Sequence, residues 1–383
     1  MRLPTVEILD TSKNGIDLQA GMGSGGSLAI MAGTAARRGW GGTVSFVALD
    51  RNVERNLPLM PEIYEAADVK RYHDRRPSTF EANRIEIEAA KRISLGNGPI
   101  FLNMMWAIQK DFKDALAGAM AGGVDGFIVG AGLPLTLPEM INDIDPNADV
   151  LLIPIVSSAR ALDIICQRWN GRYGQLPDAV IVEGPKAGGH LGFRKDDIEK
   201  PEFQLEILLL EVLAVARKYR VNGKAIPVIV AGGIWDRHDI IRFMNLGADG
   251  VSIGTRFAAT VESGASKEFK DRIVSATTDN IIVIMGSPAG MPIRILADSP
   301  GYLKAKLQNR DLDKCEYRYM LQLNGKCPAM ESVDKFCICE ALWAAINIDK
   351  NRVAIYTVGA NAAFVTEIST VDKVIDELTG ITV

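Results

Sequence analysis

"IPVIVAGGIWDRHDIIRFMNLGADGVSIGTRF", Ile226 to Phe257, decides the fold. It opens with a β-branched run, breaks at Gly232 and Gly233, and resumes after Trp235 with apolar residues at helical spacing. "NLGADG" stops that helix at a glycine and leads at once into a second β-branched run, which ends in Gly254 and Thr255. Such continuous apolar runs fit parallel strands buried on both faces. Strand, helix and strand in close succession make a βαβ unit.

The unit repeats upstream. "IDLQAGM", "GTVSFV", "PIFLNMM", "DGFIVGA", "VLLIPIV" and "AVIVEG" bring the candidate strands to eight. Helical spacing fills the gaps. "STFEANRIEIEAAKRI" begins at Ser78, and Glu81 three residues later makes a capping box. "DFKDALAGAMAGG" has Asp111 at its start and glycines at its stop, and "SSARALDIICQRW" follows the same logic. Eight strand–helix units between about Asp17 and Ala276 predict an α/β fold, a (β/α)8 TIM barrel over residues 1–276. From 277 to 383 the rhythm is lost. "FCICEALWAAINI", "YTVGANAAF" and a final amphipathic helix, "TVDKVIDELTG", read as an appended C-terminal region packing on the barrel.

With 383 residues, 48% of them hydrophobic, the chain can bury a large core. A net charge of -4 argues against a nucleic-acid binder. "MRLPTVEILD" has no apolar secretory core, and "LEILLLEVLAVA" is short for a membrane span and carries Glu206 and Glu211. A soluble cytoplasmic protein is expected, with a buried amphipathic helix at Leu205–Ala216. Five cysteines (166, 315, 327, 337 and 339) lack the spacing of a zinc site and read as reduced thiols, with no metal.

In a barrel the chemistry lies at the C-terminal ends of the strands. Those ends are Ala20, Gly21 and Met22; Asn103; "GAGLP" from Gly130; the loop "EGPKAGGHLGF" from Glu183; Gly232 and Gly233; and Gly254 with Thr255. The last two loops are the frequent phosphate site of this fold. With Gly188 and Gly189 they offer backbone N–H groups, and Thr255 adds a hydroxyl at a helix start, where the dipole favours anions. His190 stands among these glycines as one of three histidines, and a neutral imidazole there suits proton transfer near pH 7. His73 and His238 sit in polar runs and read as solvated. Lys186 is read either as an anion partner or as a surface lysine. Glu183 is read either as orienting a loop amide or as structural.

A competing signal sits near the start. "GMGSGG" places Gly21, Gly23 and Gly26 in Gly-x-Gly-x-x-Gly spacing, and Asp50 ends the next strand where a dinucleotide fold keeps its ribose-binding acid. The preceding strand is weak, with Asp17 and Gln19, and strands continue past a six-stranded sheet. The glycines are therefore expected to let a loop approach a flat ligand in a barrel.

"EGPKAGGHLGF", "VIVAGGIWD", "GADGVSIGTRFAATVES" and "SPAGMP" together resemble the nitronate monooxygenase family, formerly the 2-nitropropane dioxygenases. The same superfamily includes flavin-dependent enoyl-acyl carrier protein reductases. The resemblance runs from about Asp17 to Arg294, with a weaker echo in "CICEAL" and "VGANA". It implies non-covalent FMN, its phosphate held by Gly188, Gly189, Gly232, Gly233, Gly254 and Thr255. The ring would lie against Ala20 to Met22, near Asn103. It implies that His190 removes the proton α to a nitro group, after which the nitronate passes an electron to FMN and O2 completes the oxidation. The alternative is an NAD(P)H-dependent reductase of an enoyl thioester. The chain departs from the family pattern at "QAGMGSGG", at the insertion "RKDDIEKPEFQ", and at the charged "RNVERNLPLMPEIYEAADVKRYHDRRP". That last segment is open to two readings, a lid or an oligomer contact such as a homodimer.

Overall fold

The computed structural model describes residues 17–221, 223–305, 327, 329, 336–347 and 353–381. The eight expected strands are present: β1 (Leu18–Gln19), β2 (Gly42–Ser45), β3 (Ile100–Met105), β4 (Gly126–Gly130), β5 (Leu151–Val156) and β6 (Val180–Glu183), then β8 (Val228–Ala231) and β9 (Gly250–Ile253). A two-residue strand, β7 (Gly189–His190), stands outside this set. The eight pair in parallel in the order β1-β9-β8-β6-β5-β4-β3-β2. A parallel bridge from Leu18 to Gly41 closes the ring. The chain is thus a (β/α)8 barrel, and the doubly wound alternative is excluded. Asp50 lies in the helix Leu49–Leu59, 3.9 Å from Arg76, and serves no dinucleotide turn.

Strand side chains alternate between the two faces. The inward set includes Leu18, Phe101, Ile128, Ile153, Ile181 and Ile229, which fill the barrel as one apolar cluster. Phe101 is fully buried there, and its truncation to alanine would cost about 3–5 kcal/mol. The outward set packs on the surrounding helices. Those helices start as the sequence indicates. Ser78 and Glu81 form a reciprocal capping box, and Ser158 and Asp236 accept from backbone N–H groups in their first turns. Asp111 differs. It takes a left-handed φ of 58° and makes no side-chain cap, a backbone state that aspartate tolerates better than most residues. Helix Leu205–Ala216 buries Leu208, Leu209, Val212 and Leu213, and no described helix is long and apolar enough to cross a membrane.

The N-terminal mouth of the barrel carries a repeated device. Asp125, just before β4, accepts from Ile100 N at 2.7 Å. Asp178, before β6, accepts from Leu152 N at 2.8 Å. Asp249, before β9, accepts from Val228 N at 2.8 Å. Asp17, before β1, accepts from Val251 N at 3.3 Å. Each carboxylate ties its own strand to the neighbour and fixes the register there.

Past the barrel, β10 (Ile281–Ile284) and β11 (Ile293–Leu296) form an antiparallel hairpin. β11 also pairs with β7, setting Ile293 opposite His190 and Arg294 opposite Gly189. None of these three strands is among the eight expected from the sequence. The terminal helix, Val371–Thr379, packs against the helix Ala29–Arg37, with Arg38 paired to Asp372 at 3.2 Å. Cys327 is buried, Cys337 and Cys339 are partly buried near the helix Ile338–Ile346, and Cys315 lies outside the described residues.

Candidate functional site

The C-terminal ends of the strands open into a cavity of about 290 Å³. Its walls bring together every candidate read from the sequence: Ala20, Gly21, Met22, Asn103, Glu183, Lys186, Gly188, Gly189, His190, Gly232, Gly233, Gly254 and Thr255. His73 and His238 are remote from it, with side chains 71% and 96% exposed. Residues 51–77, the charged segment after β2, do not line it. They lie on the helix Thr79–Ser94, where Arg84 meets Asp68 at 2.7 Å and Tyr64 donates to the buried Glu86 at 3.1 Å.

The glycines are demanded by close approach. A Cβ on Gly21 would stand 2.3 Å from the Cβ of Asn103. Asn103 packs over the β1 turn while its Nδ2 donates to Ile128 O. Gly232 holds φ +95°, and a Cβ there would come within 2.9 Å of Gly184 O. The loops after β6 and β8 therefore interlock, backbone against backbone. At Gly189 and Gly254, in contrast, the space a Cβ would enter is open toward the cavity, where a ligand can approach the main chain.

The loops after β6, β8 and β9 are backed by the C-terminal segment that contains "VGANA". Gly359 N donates to Thr255 Oγ1 at 2.9 Å, Ala360 N to Lys186 O at 3.0 Å, and Asn361 Nδ2 to Gly233 O at 2.7 Å. A Cβ on Gly188 would meet Val358 and Gly359 at 2.7 Å. The C-terminal segment thus seals all three loops. Thr255 opens a helix of only four residues, Thr255–Ala258, so the full-length dipole expected there is not available. What remains for an anion there is the backbone of the glycine loops and the threonine hydroxyl, all on the cavity wall.

Arg294 is the principal residue that sequence reading missed. It is 5% exposed, and its Nη1 donates to Pro185 O and Ala187 O, each at 2.6 Å. One guanidinium so fixes the bend of the loop "EGPKAGGH". Its position in the second strand of a hydrophobic hairpin does not reveal partners 107 and 109 residues away.

His190 stands on β7 at the cavity wall, with Nε2 2.6 Å from Ser287 Oγ. Burial pulls its pKa down to about 4, so the ring is neutral at pH 7. Glu183 ends β6. Two residues beyond the inward Ile181 it shares that face and lines the cavity, and burial pushes its carboxyl up to about 7. The site therefore offers a neutral base, a carboxyl poised between its two states, and a backbone cradle for an anion.

Known proteins resemble the chain in the same regions. The family model described as nitronate monooxygenase matches residues 67–380. A probable nitronate monooxygenase of Staphylococcus saprophyticus is 33% identical over 185 residues, 47% of this chain and 47% of the relative. One of Staphylococcus aureus is 37% identical over 106 residues, 27% of this chain and 28% of the relative. The matched stretch thus spans about half the length of the first relative and about a quarter of the second. Among solved structures, FabK from Thermotoga maritima aligns with a TM-score of 0.66 at 22% identity, covering 99% of this chain and 96% of that one. Nitroalkane oxidase from Streptomyces ansochromogenes aligns at 0.62 and 17%, covering 95% and 94%. These two likenesses carry the fold. The family match covers most of the chain, including the cavity-lining loops after β6, β8 and β9 and the C-terminal segment that backs them, and the chain belongs to the nitronate monooxygenase family.

Proposed function

We propose that the chain is an FMN-dependent nitronate monooxygenase that oxidises alkyl nitronates and nitroalkanes with O2, using His190 as general base. One observation carries the choice of reaction. The imidazole of His190 stands at the cavity wall, neutral at pH 7, with a lone pair to offer. It suits removal of a proton from carbon. NAD(P)H-dependent reduction of an enoyl thioester is the second reading.

The residues present fit FMN. Its terminal phosphate would be held by the backbone of Gly188, Gly189, Gly232, Gly233 and Gly254 and by the Thr255 hydroxyl, with Lys186 as counter-charge. The ring would lie on Ala20, Gly21 and Met22 beside Asn103, and Glu183 lines the same cavity. Bound FMN supplies the electron acceptor for the nitronate and the route to O2. The protein's own part is to orient the nitroalkane, hold water away, and take the α-proton at His190. The C–H electron pair then moves into the nitro group. Residues 1–276 and 277–383 act as one unit in this reading, because the second part supplies Ser287, Arg294 and Asn361 to the site of the first.

Anaerobic titration of the purified protein tests the proposal. An alkyl nitronate is expected to bleach the flavin absorbance within the mixing time of a turnover, and NADH and NADPH to leave it. Rapid bleaching by a nicotinamide with none by nitronate overturns it in favour of the reductase.

A further inference from the structure

We propose that Ser287 is a positioning residue for His190: it accepts a hydrogen bond from the imidazole Nε2–H and thereby reserves the Nδ1 lone pair for the substrate. The inference rests on the proposed role of His190 as a base and extends it to a definite atom.

Neutral imidazole carries one proton on two nitrogens, and only the nitrogen without it can act as a base. Ser287 Oγ lies 2.6 Å from Nε2, and no hydrogen-bond partner meets Nδ1 among the described residues. Ser287 is 2% exposed, so its hydroxyl faces protein and not bulk water. The oxygen has two lone pairs. Ala289 N donates to one at 3.3 Å, which leaves the other for Nε2–H. In the proposed arrangement the proton rests on Nε2, hydrogen-bonded to Ser287 Oγ, and Nδ1 stays open.

The ring has little freedom to reverse this arrangement. His190 sits opposite Ile293 in the β7–β11 pairing, and Leu191 N donates to Pro292 O at 2.9 Å. Ser287 belongs to the connection between β10 and β11, where Gly290 N closes a turn onto Ser287 O at 3.0 Å. The same hairpin therefore fixes both the backbone of His190 and the far side of its ring. A carboxylate in place of Ser287 would hold the imidazole charged and remove its lone pair at neutral pH. A hydroxyl orients the ring without that penalty. Glu183 and Lys186 share the cavity, and Arg294 flanks Gly189 in the strand pairing. None of the three is hydrogen-bonded to the ring. In the proton step Nδ1 gains the substrate's α-proton, the C–H pair enters the nitro group, and Nε2–H stays on Ser287.

The test reads the tautomer directly. Replacing His73 and His238 with glutamine leaves His190 as the single imidazole of the chain. Nitrogen-15 NMR of this flavin-loaded protein, labelled at histidine, is expected to show the proton on Nε2 at pH 7. Ser287→Ala is expected to move a measurable fraction to Nδ1–H, and Ser287→Thr to restore the parent spectrum. In turnover, Ser287→Ala should lower kcat for a neutral nitroalkane by about tenfold while preformed nitronate reacts within about twofold of the parent. A proton on Nδ1 in the unsubstituted protein, or a spectrum unmoved by Ser287→Ala, overturns the proposal. Equal loss on both substrates overturns it as well, because that marks a structural role. Failure of the base reading is separable: neutral-nitroalkane turnover would then survive His190→Ala whatever the tautomer.

Discussion

Arg294→Met removes a guanidinium that holds the bend of the loop from Pro185 to Ala187 through two 2.6 Å hydrogen bonds. Hydrogen bonds to a charged donor contribute about 1.5–3 kcal/mol each, so the pair is worth roughly 3–6 kcal/mol. Methionine refills most of the volume and returns about 1–2 kcal/mol of apolar burial. A net loss of about 2–4 kcal/mol follows. Much of it should appear as local opening, because the orphaned carbonyls find water once the loop lifts. Flavin must then close the loop on binding, which should weaken affinity by about ten- to a hundredfold, the equivalent of roughly 1.4–2.8 kcal/mol. Urea unfolding followed by circular dichroism measures the first effect, and fluorescence of released flavin on dilution measures the second. Arg294→Lys, with a point charge that can serve one carbonyl at a time, should lose about half as much. A methionine variant that unfolds at the parental urea concentration and binds flavin equally tightly would refute the reasoning.

Other substitutions probe separate links. Gly232→Ala forces a side chain onto a φ of +95° and to within 2.9 Å of Gly184 O, so the protein should fold yet purify colourless; a yellow variant with normal flavin content contradicts this. His190, with its pKa pulled from 6.5 to about 4, binds fewer protons folded than unfolded. Its contribution is therefore whole above pH 6.5 and lost as pH falls toward 4, at most about 3 kcal/mol, and His190→Asn should flatten the stability profile in that window. Asp17 has the opposite sign, since burial raises its pKa from 3.8 to about 6 and its cost grows as pH rises through 6. Asp17→Asn, which keeps an acceptor for Val251 N, should gain about 1–2 kcal/mol at pH 8 and little at pH 4 in urea unfolding; a loss at pH 8 would contradict the burial argument.

Local signals carried most of the fold and the cavity. The β-branched runs of β3 to β6, β8 and β9 and the glycines ending them are short-range features, legible because strand type and turn conformation depend on neighbours. What escaped depends on distance. Ser287 meets His190 across 97 positions, Arg294 reaches Ala187 across 107, and Asn361 reaches Gly233 across 128. No periodicity or spacing encodes such a pairing. The β7–β11 contact was hidden for a second reason: Gly189 and His190 look like loop until an external hairpin supplies their ladder. The short helix after Thr255 was also illegible, because "TRFAATVES" has helical composition without a stop where the chain turns.

The aspartates at the N-terminal mouth bear on the order of folding. Those before β4, β6 and β9 clip strands across 25, 26 and 21 residues, whereas Asp17 clips β1 to β9 across 234. Contacts of short span form first, because long loops must be closed before they are rewarded. The strand pairs can thus set their registers early, while β1 waits for the last partner of the ring. Until Val251 is in place, a nascent or clipped chain carries an unpaired sheet edge open to other chains.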